Sequence, residues 1–372
     1  SGVNYSWKES QFNPYQSLVF LYCFALCLWL IEYRRGLHQR ETDLNSKINM
    51  HQLPTLYEAT LPQLWKVRAT APKLGVQYWH QQVQLLDLEK ESETDAVPRV
   101  ALLGYACDEG VRRNKGRVGA AQGPDAIRKQ LARLAFHHDS LSISDYGNLL
   151  CADGDLEGCQ KALSVLTEQL LTQGSFPIVL GGGHDVAYGH FVGIHNALQQ
   201  TGSSRIGIIN FDAHFDLRPV ESQPHSGTPF NQILSEYGST TEYFALGIQQ
   251  PANSPELFAI AKEKEVNYLF NDVCKNINYE VVTSKLHAFI ERNDALYLTI
   301  DLDGFSSAYA PGVSAPSALG FSPAFAVKIL NYLMQTQKVV AVDIAELNPR
   351  YDRDQCTAKL AARIVDAVVG GL

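Results

Sequence analysis

Residues 205–218 read Arg-Ile-Gly-Ile-Ile-Asn-Phe-Asp-Ala-His-Phe-Asp-Leu-Arg, a short apolar run followed at once by acidic and imidazole side chains. The β-branched residues in its first half predict a buried strand. Side chains at every second position of an extended chain share a face, so we expect Asp212, His214 and Asp216 together at the strand's end. Carboxylate and imidazole donors suit a divalent cation such as Mn²⁺ or Zn²⁺. The alternative at this point is an acidic strand end that is only solvated.

Two other segments repeat this arrangement of an apolar strand followed by metal-type donors. Residues 176–180 run into three glycines and His184, and residues 295–300 run into Asp301 and Asp303. Open parallel sheets bind ligands outside the carboxyl ends of their strands, so the three strand ends can converge on one crevice. Four clustered carboxylates would take up protons or repel one another, whereas two divalent ions would balance their charge. The donor count therefore favours a two-metal site over a single ion.

Helix-like and strand-like segments alternate along most of the chain. The predicted helices are residues 61–67, 79–88, 156–173, 187–200, 231–237, 255–264, 279–292, 323–336 and 354–369, with a further one beginning at Pro124. The predicted strands are residues 100–104, 176–180, 205–209, 241–246, 266–269, 295–300 and 339–343. Strands separated by helices indicate βαβ units, so we expect an α/β fold with a mainly parallel sheet and helices on both faces. Residues 107–128 predict a loop rich in arginine and glycine that approaches a ligand or another loop.

Composition narrows the function and the compartment. The 372 residues carry a formal charge of −8, which argues against a nucleic-acid partner, because such proteins present a basic surface. Seven cysteines are scattered without a Cys-x-x-Cys pair. We therefore expect neither a disulfide framework nor a structural zinc, and we expect a reducing cytoplasm.

The first 49 residues differ from the remainder. Residues 17–31 form the most hydrophobic stretch, but its 15 residues fall short of the roughly 20 that cross a bilayer. The flanking residues do not resemble those of a signal peptide. We expect residues 1–49 to be a hydrophobic extension that is not native, with a membrane anchor as the alternative, and ordinary sequence to start at Met50. We expect residues 50–97 to form a helical segment packed on a main domain of residues 98–372, for which no membrane contact is expected.

Five motifs, in this order, resemble those of the ureohydrolase superfamily of dimanganese enzymes, which includes arginases and agmatinases. They are Gly-Gly-Gly-His184, Asp212-Ala-His214-x-Asp216, Ser226-Gly-Thr-Pro-Phe230, Asp301-x-Asp303 and Asp343-Ile-Ala-Glu346-x-Asn-Pro349. The resemblance implies a three-layer α/β/α fold, two Mn²⁺ per chain and a homo-oligomer. It implies one manganese held by His184, Asp212, Asp216 and Asp301. It implies a second held by Asp212, His214, Asp301 and Asp303.

The resemblance also implies the chemistry. Two metal ions that share a water lower its pKa, so hydroxide can attack a planar carbon near neutral pH. Glu346 matches the family position that accepts hydrogen bonds from a guanidinium or amidinium group. Arg218 stands where arginases carry an Asn that contacts the substrate α-carboxylate, and its planar fork suits a carboxylate. The likeness is greatest to the formimidoylglutamase branch, which splits N-formimidoyl-L-glutamate into L-glutamate and formamide in histidine degradation. The alternative is that Arg218 pairs with an acid of the protein.

Two departures from the family pattern affect the expected proton path and metal support. Arginases and agmatinases carry a proton-shuttling His immediately before the glycine that matches Gly227, but this chain has Ser226 there and His225 one residue earlier. His225 is therefore the candidate catalytic shuttle, with another residue or water as the alternative. Asp185 is the candidate to support His184. Two other functions stay open: a guanidino-acid hydrolase, related to guanidinobutyrase or agmatinase, that releases urea, and a non-catalytic metal-binding relative.

Overall fold

The computed structural model describes residues 56–67, 75–89, 97–138, 141–202 and 205–372. The expected hydrophobic extension of residues 1–49, its apolar run and Met50 lie outside these ranges. Among the helices of the described ranges, none combines the length and the apolar character needed to cross a membrane.

A ten-stranded sheet forms the centre of the described chain. Its strands are β1 (Leu56–Glu58), β2 (Val83–Leu85), β3 (Val100–Ala106), β4 (Ile143–Leu150), β5 (Phe176–Leu180), β6 (Ile206–Phe211), β7 (Thr241–Ile248), β8 (Asn267–Phe270), β9 (Ala295–Asp301) and β10 (Val339–Ala345). They lie in the order β1-β4-β3-β5-β10-β9-β6-β7-β8, and β2 also pairs with β4. The pair β1–β4 is antiparallel and the other pairs are parallel. The predicted mainly parallel sheet is confirmed.

Helices cover both faces of this sheet. They are α1 (Trp79–Gln82), α2 (Glu109–Arg113), α3 (Gly123–Leu131), α4 (Leu156–Thr172), α5 (Val186–Thr201), α6 (Pro229–Tyr237), α7 (Pro255–Glu263), α8 (Tyr279–Arg292), α9 (Pro323–Gln335) and α10 (Cys356–Val369). One apolar cluster joins α3, α8, α9 and α10 to one face, and two others join α4 to α7 to the opposite face. Successive strand residues alternate between the two sides, since Ile209 belongs to the first cluster and Ile208 to the opposite one. The three-layer α/β/α architecture follows from this alternation.

Helix starts agree with prediction where the sequence carries a capping residue. Ser322 precedes Pro323, and its hydroxyl accepts the Phe325 N–H at 3.2 Å. Asp155 caps α4 in the same way through the Gly158 N–H at 2.9 Å. Such caps accept hydrogen bonds from backbone N–H groups that have no partner within the helix. Proline suits the first turn because it has no N–H group that would need a partner there. The predicted helices at both places therefore begin within a residue of the observed ones.

The region before β3 differs from the prediction of two helices. Residues 62–65 form a single 3₁₀ turn, and α1 has only four residues before the chain continues into β2. Strands β1 and β2 both pair with β4. The sequence does not predict strand β4, because Asp145 and Asn148 interrupt its apolar pattern. Buried Arg128 forms an ion pair with Asp145 at 2.8 Å and donates to Asn148 Oδ1 at 2.5 Å. A buried charge requires such partners, so the polar residues belong inside this strand.

Candidate metal centre

Four neighbouring strands, β5, β10, β9 and β6, end at one edge of the sheet and each supplies a polar side chain there. His184 follows β5 and Glu346 follows β10. Asp301 is the last residue of β9, and Asp212 comes directly after β6. All four are buried. The predicted convergence of separate strand ends on one crevice is confirmed. Strand β10, which carries Glu346, lies between β5 and the pair β9 and β6.

The candidate ligand atoms form two groups. The first group contains His184, Asp212, Asp216 and Asp301, and the second contains Asp212, His214 and Asp303. Within each group the ligand atoms lie within 4.8 Å of one another. All six predicted ligands are therefore brought together. Asp212 belongs to both groups, whereas Asp301, expected to bridge as well, belongs to the first group only.

The ring of His184 shows how the first group is organised. Its Nδ1 atom lies 3.0 to 3.2 Å from three carboxylate oxygens. They belong to Asp212, Asp216 and Asp301. One ring N–H cannot donate to three acceptors. Donors at this mutual spacing suit the coordination shell of one shared cation. The Nε2 atom lies 2.9 Å from the Thr299 hydroxyl, which sets the ring's orientation.

Two aspartates orient their carboxylates by the same local device. Asp212 Oδ1 accepts the N–H of His214 at 2.7 Å, and Asp301 Oδ1 accepts the N–H of Asp303 at 2.7 Å. In both residues this leaves Oδ2 to face His184 Nδ1. The strand has ended by this point, so the extended-strand reason for the convergence of residues 212–216 is wrong. A side-chain turn and a bend in the backbone bring these donors together.

Two residues of the centre hold the left-handed backbone conformation that favours glycine. Asp216 has a φ of 49° and Glu346 a φ of 70°. This conformation costs energy in residues with a Cβ atom and concentrates at functional sites. Both side chains therefore occupy directions that an extended strand end would not give them.

The three glycines before His184 permit a close approach of two backbone segments. A Cβ atom on Gly182 would lie 1.8 Å from the carbonyl oxygen of Cys107, so only glycine fits. The Cys107 carbonyl also accepts the N–H of Gly183 at 2.9 Å. Glu346 N–H donates to the Gly182 carbonyl at 2.8 Å, and Glu346 Oε1 accepts the His184 N–H at 2.9 Å. These hydrogen bonds fix the position of His184 relative to Glu346.

The expected support of His184 by Asp185 is wrong. Asp185 instead accepts the hydroxyl of Tyr105 at 2.8 Å, away from the metal-type donors. Thr299 takes the supporting place, and its hydroxyl donates to buried Asp343 at 2.5 Å. The sequence contains a signal for this contact, because Thr299 precedes Asp301 by two residues and shares its face of β9.

The charge of the centre fits divalent cations. Burial and the neighbouring acids raise the pKa of Asp301 well above its usual range, and burial raises the pKa of Asp303 to about 6. Burial, aided by the charge of Asp303, raises the pKa of Glu346 to about 8. Asp303 Oδ1 is buried without a hydrogen-bond partner in the described ranges. The only basic side chains in ion-pair contact with these acids there are the two candidate ligand histidines. Divalent cations would stabilise the ionised carboxylates, and the mixed oxygen and nitrogen donors suit Mn²⁺.

A cavity of about 290 Å³ opens beside the centre. Its buried side is lined by Asp301, Asp303 and Glu346, and its outer side includes Asn114, Lys115, Arg117, Arg218, Ser226 and Ser314. Arg218 is exposed, and among the described residues its guanidinium makes a single hydrogen bond, to Asn114 Oδ1 at 3.4 Å. The alternative that Arg218 pairs with an acid finds no support among the described residues.

His225 is not among the residues that line this cavity, whereas Ser226 is. The Nδ1 atom of His225 accepts the N–H of Gly227 at 3.1 Å. Burial, together with the charge of Arg218, lowers the pKa of His225 and so favours its neutral form. The Ser226 hydroxyl accepts Asn114 Nδ2 at 3.1 Å. His225 therefore lies next to residues that line the cavity without lining it itself, and its role as the shuttle stays a prediction.

Comparison with known proteins gives a consistent result. A family model described as the arginase family matches residues 98–370. The chain is 44% identical over 290 residues to formimidoylglutamase of Aeromonas salmonicida (strain A449), covering 77% of this chain and 90% of that protein. It is 39% identical over 325 residues to formimidoylglutamase of Clostridium tetani (strain Massachusetts / E88), covering 84% and 95%.

Solved structures agree in fold. The Trypanosoma cruzi formiminoglutamase with Mn²⁺ matches with a TM-score of 0.67 and 27% identity, over 75% of this chain and 95% of that one. The formimidoylglutamase of Bacillus subtilis subsp. subtilis str. 168 matches with a TM-score of 0.72 and 22% identity, over 82% and 95%. At that identity the second likeness concerns the fold alone.

Proposed function

This chain belongs to the arginase family, and on that premise we propose that it hydrolyses N-formimidoyl-L-glutamate to L-glutamate and formamide in histidine degradation. The observation that carries the proposal is the pair of ligand groups sharing Asp212 beside a cavity that Arg218 also lines. Several relatives named formimidoylglutamase support the choice of substrate. We infer that residues 98–372 form the catalytic unit, since they contain both ligand groups and every residue that lines the cavity.

We propose that the two ligand groups hold two Mn²⁺ ions. His184, Asp212, Asp216 and Asp301 would hold one, and Asp212, His214 and Asp303 the other. The Trypanosoma cruzi relative contains Mn²⁺, which supports the choice of metal. When bound, such a pair of ions supplies Lewis acidity and a water of lowered pKa for attack on an electron-poor carbon.

Glu346 positions the amidine. Its Oε1 atom is engaged by the His184 N–H, and the residue lines the cavity, so Oε2 is the atom that can accept from an amidine N–H. A carboxylate facing a cationic C–N group gives a short, charge-assisted hydrogen bond. Because the Glu346 backbone is also tied to Gly182, the bound amidine carbon would be held over the acidic side of the cavity.

The hydrolysis balances with water as the only co-reactant. Water adds its oxygen to the formimidoyl carbon of the amidinium group and gives up both of its protons. One proton moves to the leaving glutamate nitrogen as its bond to that carbon breaks, and the other is taken up by the released amine. The products are formamide and an amino acid with a free amine. Because His225 lies outside the cavity lining, we infer that this proton reaches the leaving nitrogen without the His225 ring.

Arg218→Ala is expected to raise KM for formimidoylglutamate by about 10-fold to 100-fold, because it removes a charge-assisted hydrogen bond to a carboxylate. The manganese content and kcat should stay close to those of the parent protein, since Arg218 belongs to neither ligand group. Steady-state kinetics with metal analysis of the same sample measures both quantities. Arg218→Lys should recover only part of the loss, because lysine keeps the charge without the planar fork. An unchanged KM would contradict the assignment.

His225→Asn is expected to keep kcat within about threefold of the parent value, because the ring does not line the cavity and the asparagine oxygen can still accept the Gly227 N–H. The measurement is kcat for formimidoylglutamate between pH 6 and 9. A loss of more than about a hundredfold, the size of a general acid–base contribution, would restore His225 as the shuttle.

The proposed function is tested with a substrate panel and Mn²⁺-loaded protein. The panel contains formimidoylglutamate, guanidinobutyrate, arginine and agmatine, with formamide and urea measured separately. Formamide from formimidoylglutamate, with little urea from the other three, is the expected result. Urea from guanidinobutyrate without formamide would select the guanidino-acid hydrolase. No product from any substrate, in protein shown to hold two ions, would select the non-catalytic relative.

A further inference from the structure

We propose that Lys115 binds a second carboxylate of the substrate, so that Arg218 and Lys115 together select dicarboxylic amidines. The inference rests on the proposed function and assigns a specificity-determining residue to it. Lys115 is exposed and lines the cavity beside the metal-type centre. Its side chain has no hydrogen-bond or ion-pair partner in the part of the chain that the structure describes.

The arginines around Lys115 are already committed to structural contacts. Arg112 and Arg113 both donate to Glu109, at 2.6 to 2.9 Å. The second of them also contacts Glu157 at 2.8 Å. Neither arginine is among the residues that line the cavity. Both guanidinium groups hold the segment to neighbouring acids, so they are not available to a ligand.

Arg117 lines the cavity but is committed as well. Its Nε donates to the Ser314 carbonyl at 2.9 Å, and its Nη2 donates to the Val313 carbonyl. The guanidinium carbon lies 3.9 Å from the centre of the Tyr351 ring. Two backbone bonds and a stacked aromatic ring occupy this cation. Three lysine and arginine side chains line the cavity. Lys115 and Arg218 are therefore the two whose charged groups remain free to bind a carboxylate.

The backbone presents Lys115 at a fixed point between the two walls of the cavity. Asn114 bonds Ser226 and Arg218 on one wall. On the other side, a Cβ atom on Gly116 would lie 2.6 Å from the Ser314 hydroxyl, which shows how closely the segment packs there. Lys115 itself has a φ of 61°, in the region that favours glycine. This left-handed residue directly follows the C-terminal end of α2 and sets the direction in which the chain leaves the helix.

The charges of the substrate match this arrangement. Formimidoylglutamate carries one amidinium group and two carboxylates. The carboxylate of Glu346 suits the amidinium and repels a carboxylate, and the charge of the two proposed Mn²⁺ ions is balanced by the four aspartates, so each substrate carboxylate needs another cation of the lining. Arg218 can bind one of them. Lys115 is the remaining uncommitted cation, and its ammonium can bind the other as a point charge.

The test crosses two variants with three substrates. Lys115→Met and Arg218→Met are each assayed with N-formimidoyl-L-glutamate, with N-formimidoyl-L-glutamine, which lacks the side-chain carboxylate, and with N-formimidoyl-4-aminobutyrate, which lacks the α-carboxylate. With the dicarboxylic substrate, Lys115→Met is expected to lower kcat/KM about tenfold, mostly through KM. The loss should shrink to less than about twofold with one of the two analogues, as a double-mutant cycle requires for a direct contact. Arg218→Met should show the same relief with the other analogue.

Two further variants serve as controls. Lys115→Arg keeps the charge at the same place and should retain most of the activity. Lys285→Met removes an exposed lysine of α8 that does not line the cavity, and it should match the parent protein with every substrate.

The outcomes separate the failure of Lys115 from that of the proposed function. Equal losses of Lys115→Met on all three substrates would make Lys115 a structural residue and overturn the inference. No loss on the dicarboxylic substrate would overturn it as well, and so would relief of both variants by the same analogue. If the parent protein with two bound ions turns over none of the three substrates, the proposed function fails and the inference falls with it.

Discussion

Asp212→Asn is expected to remove manganese from both ligand groups and to lower kcat by at least about a thousandfold. Asp212 is the one residue that belongs to both groups, and it is fully buried. Asparagine keeps the shape of the side chain, and its oxygen can still accept the His214 N–H. It removes the negative charge, so both groups lose a ligand that a divalent cation prefers. Metal analysis after dialysis and kcat for formimidoylglutamate measure the two effects.

A matched variant separates this effect from a general loss of charge. Asp272→Asn changes an exposed aspartate that belongs to neither ligand group, and it should keep both manganese content and kcat. Circular dichroism should show Asp212→Asn to be folded. Two bound ions and near-parental turnover in a folded Asp212→Asn protein would contradict the shared-ligand arrangement.

Glu346→Gln is expected to lower kcat/KM for formimidoylglutamate by about a hundredfold to a thousandfold while the manganese content stays equal to that of the parent protein. Glutamine retains an oxygen that can accept the His184 N–H, so the glycine segment should keep its place. The substitution removes the carboxylate that faces the amidine group. Glu346 belongs to neither ligand group, and for this reason the metal should remain.

The effect of Glu346→Gln should depend on the amidinium group of the substrate more than on its carboxylates. Arg218→Ala should raise KM, whereas Glu346→Gln should lower kcat, because the glutamate holds the reacting group itself. Loss of manganese in Glu346→Gln would show that the residue supports the metal centre and does not bind the amidine. Full activity in the variant would contradict the assignment of Glu346 as the residue that binds the amidine.

The strands that carry the candidate metal centre are predictable because each is an apolar run closed by donor residues. Residues 176–180, 205–209 and 295–300 all prove to be strands at the centre of the sheet. Strand β4 was missed because its polar residues bind Arg128, a partner remote in sequence whose burial no local pattern indicates. The pattern of apolar residues predicts strands that bury apolar side chains, and it misses strands that bury an ion pair.

Within the candidate metal centre, the sequence predicts which donor residues come together, and it does not predict the directions of their side chains. The six donors follow from residue type and order, but the left-handed backbone at Asp216 and the turn at Asp212 depend on the folded chain. Lys115 gave no sequence signal of its own, since four cations lie within residues 112–117. Only the contacts that engage the neighbouring arginines single out this lysine.

The most direct test is anomalous diffraction at the manganese absorption edge from crystals grown with Mn²⁺. We expect two peaks, one beside His184 Nδ1 and Asp216 and the other beside His214 and Asp303, with Asp212 contacting both. A single peak, or manganese bound away from the ends of β5, β6 and β9, would contradict the two-metal centre on which the proposed hydrolysis depends.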